Sequence, residues 1–211
     1  MPDTIYHPIH GERPYLLKLL ALAGFLGCAS LILGTLIAQM LVPDYNWMRD
    51  TISDLAAGRW EIVMDLALYG FGGGLLATAL AASHSHLGRG GWSVGVVSLV
   101  LLSVLVAIIG ARNEYGDNDA GGVVLHIYFV YLLGMLFLAV PFTMAPGLQK
   151  DHGGAAKALI LLGVAWAIVA PIFFFVPTGI DGLVERILGL IACGIVGTLC
   201  SVFHRRGQEA I

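Results

Sequence analysis

The sequence predicts an all-α fold, a polytopic membrane bundle of six transmembrane helices in one domain over residues 1–211. Hydrophobic residues make up 58% of the chain and charged residues 12%, about half the charged fraction of typical soluble domains. An α-helix needs ~20 apolar residues to cross the hydrocarbon core. Six such stretches are present, at about 15–42, 61–83, 91–111, 122–145, 155–177 and 182–203.

The first span is expected to remain as a helix, because its apolar run is far longer than the 7–15 residues of a signal-peptide core. Between spans the loops are short, so a separate soluble domain is not expected. The net charge of −3 gives no reason to expect a nucleic-acid partner. The three cysteines all fall inside predicted spans and are expected to be small buried apolar residues.

The loop after the first span is predicted to contain a short amphipathic helix at the membrane interface, over residues 46–57. Apolar side chains recur there at helical spacing, with polar side chains on the opposite face. Two tryptophans bracket the segment, as interfacial aromatic residues often do. The apolar set is Met48, Ile52 and Leu55, joined by Thr51, and the bracketing residues are Trp47 and Trp60.

Lysine and arginine are retained preferentially on the cytoplasmic side of a membrane. With six spans both termini share one side, and that side collects Arg13, Lys18, Arg89, Lys150, Lys157, Arg205 and Arg206. The opposite side has Arg49, Arg59, Arg112 and Arg186. We therefore expect a multi-pass protein of a bacterial inner membrane with both termini in the cytoplasm.

Most of the acidic residues gather on the predicted outer side, together with His126 near the start of the fourth span. Ionisable groups at the edge of a membrane span are functional candidates, and a histidine beside a carboxylate suits general acid–base chemistry. The predicted catalytic residues are His126, Asp54, Asp65 and Glu185. The alternative is structural: His126 bonds a neighbouring helix, and the carboxylates form an ion-paired rim with the arginines.

A second set of residues could bind a substrate on the same side. A guanidinium group suits a phosphate headgroup, a hydroxyl could bind or react, and tyrosines could line a lipid-sized cleft. The predicted substrate-binding residues are Ser53, Arg112, Arg186, Tyr69 and Tyr128. No metal ligand set or cofactor motif is found, and the middle of every span lacks charge, which makes ion-coupled transport the least favoured role.

The run Asp50-Thr51-Ile52-Ser53-Asp54-Leu55-Ala56-Ala57-Gly58 follows the first span, a polar turn follows the third, and His126 lies early in the fourth. In these features the chain resembles a family of bacterial and archaeal membrane proteins of unknown function, DUF998. The resemblance covers most of the chain and implies a six-helix membrane fold.

Three functional hypotheses follow from these residues. The first is a lipid-handling protein, either a binder or a lipid-modifying enzyme, with a polar pocket at the outer leaflet and membrane lipids as partners. The second is a non-catalytic subunit or assembly factor of a larger membrane complex, or a homo-oligomer, to which the short loops and glycine-rich helix faces are equally suited. A small-molecule transporter is the third and weakest.

Overall fold

The computed structural model describes residues 12–56, 59–88, 90–111 and 127–209, together with the main chain of His126. Within them the chain is all-helical, as predicted. Six of its helices are long and apolar enough to cross a membrane. The helices are α1 (Pro14–Leu41), α2 (Ile52–Leu55), α3 (Glu61–Ser85), α4 (Gly90–Ala111), α5 (His126–Leu148), α6 (Gly153–Phe173) and α7 (Asp181–Glu209).

The six long helices form a closed ring. Each packs against the next along the chain, α7 returns to pack against α1, and α3 also touches α7. The four-residue helix α2 contacts α1 and α7 and lies at the end of the bundle opposite the termini. We call this end, which also holds the connection between α6 and α7, the α2 end. The ring leaves room for a cavity beneath α2.

Glycines allow α1 and α3 to approach closely. A Cβ atom on Gly27 would lie 2.7 Å from the Cα of Gly74, and one on Gly74 would lie 2.8 Å from the Cα of Gly27. Gly70 and Gly74, a small-residue pair one turn apart on α3, therefore face α1, where small residues let two backbones meet. Gly73, between them, faces open space.

A buried ion pair joins the two ends of the chain. Arg206 on α7 donates from its Nη2 to Glu12 Oε1 at 2.9 Å, and the two side chains are only 3% and 4% exposed. A charged pair at this depth needs each partner, because an isolated buried charge costs several kcal/mol. The pair confirms that the described termini lie at the same end of the bundle.

The described helix ends differ most from the predicted spans at two places. α6 ends at Phe173 rather than near residue 177, because residues 174–180 form the turn that leads into α7. α7 continues to Glu209 rather than ending near residue 203, since Arg206 is neutralised by Glu12 and so can remain in a packed helix.

The glycine contact between α1 and α3 gives a testable prediction. Gly74→Ala should lower the stability of the folded protein by about 1–3 kcal/mol, the usual cost of overpacking a filled interior. Gly73→Ala is the matched control and should be neutral or stabilising, because alanine is favoured over glycine inside a helix. Thermal unfolding of the two variants in the same detergent measures the difference, and equal unfolding temperatures would contradict the close approach.

Candidate functional site

The loop that follows α1, residues 42–56, is folded against the α2 end of the bundle, and we call it the cap loop. It begins with a tight turn around Asn46, whose Oδ1 accepts a hydrogen bond from the Met48 N–H at 3.0 Å. Asp50 closes the turn by accepting from the Asn46 N–H at 2.7 Å. Arg49 forms an ion pair with Asp50 and holds the pKa of that carboxyl below its ordinary value.

Thr51 ends this turn and starts α2. Its extended backbone makes it the N-cap residue, and a capping box joins it to Asp54. The Thr51 Oγ1 accepts from the Asp54 N–H at 3.1 Å, and the Asp54 Oδ2 accepts from the Thr51 N–H at 2.7 Å. This reciprocal arrangement satisfies two main-chain donors at the helix start. The described helix is therefore shorter than the predicted segment 46–57, since it begins only after the capping residue.

Glu185, on the first turns of α7, attaches the cap loop to the bundle. One carboxylate oxygen accepts a hydrogen bond from the main-chain N–H of Ile52, and the other accepts from the Ser53 Oγ at 3.1 Å. The carboxylate thus lies at the N-terminus of α2, where the free N–H groups favour negative charge. Glu185 remains partly accessible because it borders the cavity beneath α2.

Arg186 holds the preceding turn of the same loop. Its Nη1 donates to the Asp50 carbonyl at 3.0 Å and to the Gly182 carbonyl at 2.8 Å, and its Nη2 donates to the Tyr45 hydroxyl. The Tyr45 hydroxyl also lies 2.8 Å from the carbonyls of Asp50 and Thr51. Burial raises the pKa of Tyr45, and the Arg186 hydrogen bond opposes that shift only in part.

The start of α7 is shaped to receive the cap loop. The Leu183 N–H donates to the Met48 carbonyl at 3.0 Å. A side chain on Gly182 would collide with the Asp50 carbonyl, so only glycine allows the loop to approach this closely. These contacts, with those of Glu185 and Arg186, join successive residues of the loop to one helix end.

A cavity of about 270 Å³ lies inside the ring, directly beneath α2. Among the described residues, its polar lining groups come from Thr51, Ser53 and Glu185 at the α2 end, and the rest of the described wall is almost entirely apolar. Deeper in the bundle, Phe137 lies between Phe71 and Trp166, with ring centroids 6.4 and 4.9 Å apart. Mainly apolar walls with a few placed polar groups are typical of small-molecule sites. The other wall residues include Leu31, Leu68, Val106, Ile109, Ile127, Val130, Leu133, Gly134, Ala170, Phe173, Phe174, Leu188, Gly189 and Ala192.

Three predicted site residues meet at the junction between the cap loop and α7: Ser53, Glu185 and Arg186. Glu185 and Arg186 were expected to have ionic partners if the site were an ion-paired rim. Among the described residues of this end, the ion pair is instead Arg49–Asp50. Glu185 and Arg186 bind main-chain and hydroxyl groups of the cap loop.

The other predicted residues lie elsewhere. Asp54 is exposed and caps α2. Asp65 lies on α3 outside the cavity wall, and its buried Oδ1 has no hydrogen-bond partner in the described part of the chain. Tyr69 donates to the Gly110 carbonyl at 3.2 Å, and Tyr128 is 62% exposed. Neither tyrosine lines the cavity. Arg112 and the side chain of His126 lie outside the described residues.

The sequence interpretation missed Tyr45, Thr51 and Ile52 as members of this site, together with the aromatic wall. The Tyr45 hydroxyl bonds main-chain carbonyls and Thr51 caps a helix. Neither contact requires a distinctive residue spacing. One available signal was the Thr51–Asp54 spacing, which matches a capping box with aspartate in the acidic position. In the described ranges no cluster of three or more histidine, cysteine or acidic residues could hold a metal ion.

The role of Glu185 gives a second prediction. Glu185→Leu removes both acceptors, so amide hydrogen exchange over residues 51–56 should become about tenfold faster or more, because a hydrogen bond to a charged group contributes about 1.5–3 kcal/mol. Glu209→Leu is the control, since Glu209 is an exposed glutamate at the far end of the same helix. Unchanged exchange over residues 51–56 in Glu185→Leu would show that another contact holds α2.

Comparison with known proteins gives a family but no characterised relative. No curated protein matches the chain, and no solved structure matches it. The sequence model of one family, described as protein of unknown function (DUF998), matches residues 25–202. This range begins within α1 and ends within α7, so it takes in the cap loop, the junction with α7 and the cavity wall. The chain belongs to the DUF998 family.

Proposed function

We propose that this protein is a lipid-handling protein of a bacterial inner membrane, which holds an acyl chain of a membrane lipid in the cavity beneath α2. The observation that carries the proposal is the polarity of the cavity. Its wall is apolar through the bundle and polar at one end, where Thr51, Ser53 and Glu185 lie. A lipid has the same distribution, with a polar group at one end of a long apolar chain.

The size of the cavity favours part of a lipid over a whole one. At about 270 Å³ it lies just below the ~300–1,000 Å³ of pockets that enclose drug-sized ligands. One acyl segment would fill it and would contact the aromatic wall formed by Phe71, Phe137 and Trp166. The headgroup would remain at the α2 end, outside the apolar part of the cavity.

Binding is better supported than catalysis by the arrangement around Glu185. Both carboxylate oxygens already accept hydrogen bonds from the cap loop. A general base needs an oxygen directed at the proton that it removes. Glu185 is instead directed at Ile52 and Ser53, so its role in this proposal is to keep the cavity closed. The proposal assigns no bond-making step to it.

The distribution of positive charge supports an outward-facing α2 end. The described part of the opposite end carries Arg13, Lys18, Lys150, Lys157, Arg205 and Arg206, and such an excess favours the cytoplasmic side. In this orientation the cap loop lies at the outer leaflet. A lipid held beneath it would therefore come from that leaflet.

A cavity-filling substitution tests the proposal. Gly134 lines the cavity, and a Cβ atom there would meet no atom within 4 Å. Gly134→Leu should therefore fill the space with little strain and remove the lipid held in the cavity. The Trp166 Nε1 bonds the Gly134 carbonyl, so that contact does not depend on the side chain. Native mass spectrometry after mild detergent extraction measures the lipid that stays bound.

Gly73→Leu is the matched control, because Gly73 also has open space around it but lies outside the cavity wall. Wild type and Gly73→Leu should retain a lipid that Gly134→Leu has lost. Equal retention by all three proteins, or a wild type without lipid, would contradict the proposal. A stoichiometric protein partner in place of a lipid would support the role of complex subunit.

A further inference from the structure

A second void lies beside the central cavity, in a groove of about 380 Å³ between α1 and α7. Its apolar walls are side chains that are partly or largely exposed on the surface of the bundle, such as Ile32, Leu36 and Leu190. At the α2 end the groove is bordered by polar or interfacial groups, namely Gln39, Trp47 and Arg186. The groove therefore has an apolar length and a cationic end.

The groove is closed in the middle of the membrane. There Cys28 on α1 and Cys193 on α7 make reciprocal contacts, in which each Sγ donates to the other residue's carbonyl at 3.7 and 3.9 Å. Toward the α2 end the same two helices leave the space that forms the groove. Its opening is thus confined to one half of the bundle, the half that carries the cap loop.

Only a thin wall separates the groove from the central cavity. Three residues line both spaces: Leu31 on α1, Ile52 on α2 and Gly189 on α7. Gly189 contributes no side chain, and a Cβ atom built there would meet Ile52 Cδ1 at 3.8 Å and no other atom within 4 Å. On the α7 side, the Ile52 side chain therefore supplies the wall.

The chemistry of the groove fits a glycerophospholipid. Arg186 uses three N–H donors on the cap loop and on α7, out of the five of a guanidinium group. Within the described ranges two donors remain for a phosphate, which arginine binds well. Trp47 is 52% exposed beside it, as expected of a tryptophan at the headgroup level. The acyl chain would lie along the apolar walls of α1 and α7.

We propose that the groove between α1 and α7 is a phospholipid-binding site and the lateral portal through which an acyl chain reaches the central cavity, with Ile52 as its gate. The inference rests on the proposed lipid-handling function and adds the lipid class and the route. Ile52 sits at the first position of α2, next to the Glu185 contact, so movement of α2 would join the two spaces.

Two substitutions should change the rate of lipid exchange through the portal in opposite directions. Ile52→Ala removes the wall and keeps the main-chain N–H that binds Glu185, so lipid exchange should be about tenfold faster, which corresponds to about 1.4 kcal/mol in the barrier. Gly189→Leu adds a side chain at the wall and should slow exchange by about the same factor. Gly197→Leu is the control, because Gly197 lies further along α7, where a Cβ would make only an ordinary contact with Phe25.

The probe is a phosphatidylglycerol with deuterated acyl chains. Detergent-solubilised protein that carries ordinary phosphatidylglycerol is diluted into micelles of the same detergent with an excess of the deuterated lipid, and native mass spectrometry follows the mass of the bound lipid over time. Diacylglycerol with the same chains tests the phosphate contact. Phosphatidylglycerol should be taken up at least about tenfold faster than diacylglycerol if Arg186 recruits the phosphate.

The outcomes distinguish a failure of the portal proposal from a failure of the proposed function. Retained lipid with the same exchange rate in wild type, Ile52→Ala and Gly189→Leu would overturn the portal and leave the cavity proposal standing. Equal uptake of diacylglycerol would overturn the phospholipid assignment. If wild-type protein binds no lipid in the cavity, both the proposed function and the portal proposal are overturned.

Discussion

The docking of the cap loop depends on Glu185, whose carboxylate lies between the bundle and the start of α2. A partly buried carboxylate in this position is stabilised by hydrogen-bond donors, because they replace the water that it has lost. The cap loop supplies them as the Ile52 N–H and the Ser53 hydroxyl. In return the first turn of α2 gains an anion for its unsatisfied N–H groups. The carboxylate and the start of α2 thus satisfy each other's hydrogen-bonding groups, and the loop is thereby fixed to α7.

This one junction connects the cap loop, the central cavity and the groove between α1 and α7, on which the proposed function depends. Glu185, Ser53 and Ile52 line the central cavity, and Ile52 also lines the groove between α1 and α7. The next residue, Arg186, binds the turn of the cap loop and borders the same groove. The position of α2 therefore determines both how the cavity is closed and whether it is separated from the groove.

The helices could be predicted from the sequence because membrane spans leave a direct record in hydropathy and length. A close helix approach could also be anticipated from the spacing of Gly70 and Gly74, whereas the identity of the partner helix, α1, could not. The site could be predicted only in part. Ser53, Glu185 and Arg186 were identified from their chemistry, but their partners were not. Those partners are mostly carbonyls and N–H groups of residues 50–52, and main-chain groups have no residue signature. The cavity wall combines residues from all seven helices, so no local spacing reveals it.

The central claim is that an acyl chain occupies the space beneath α2. The most direct measurement is photo-crosslinking in membranes with a phospholipid that carries a diazirine on its acyl chain, followed by mass-spectrometric mapping of the labelled residues. The account predicts labels on Phe71, Phe137 or Trp166, which line the cavity, in wild type but not in Gly134→Leu. Labels confined to outward-facing residues such as Leu80 and Leu161, which are 51% and 71% exposed, would contradict it.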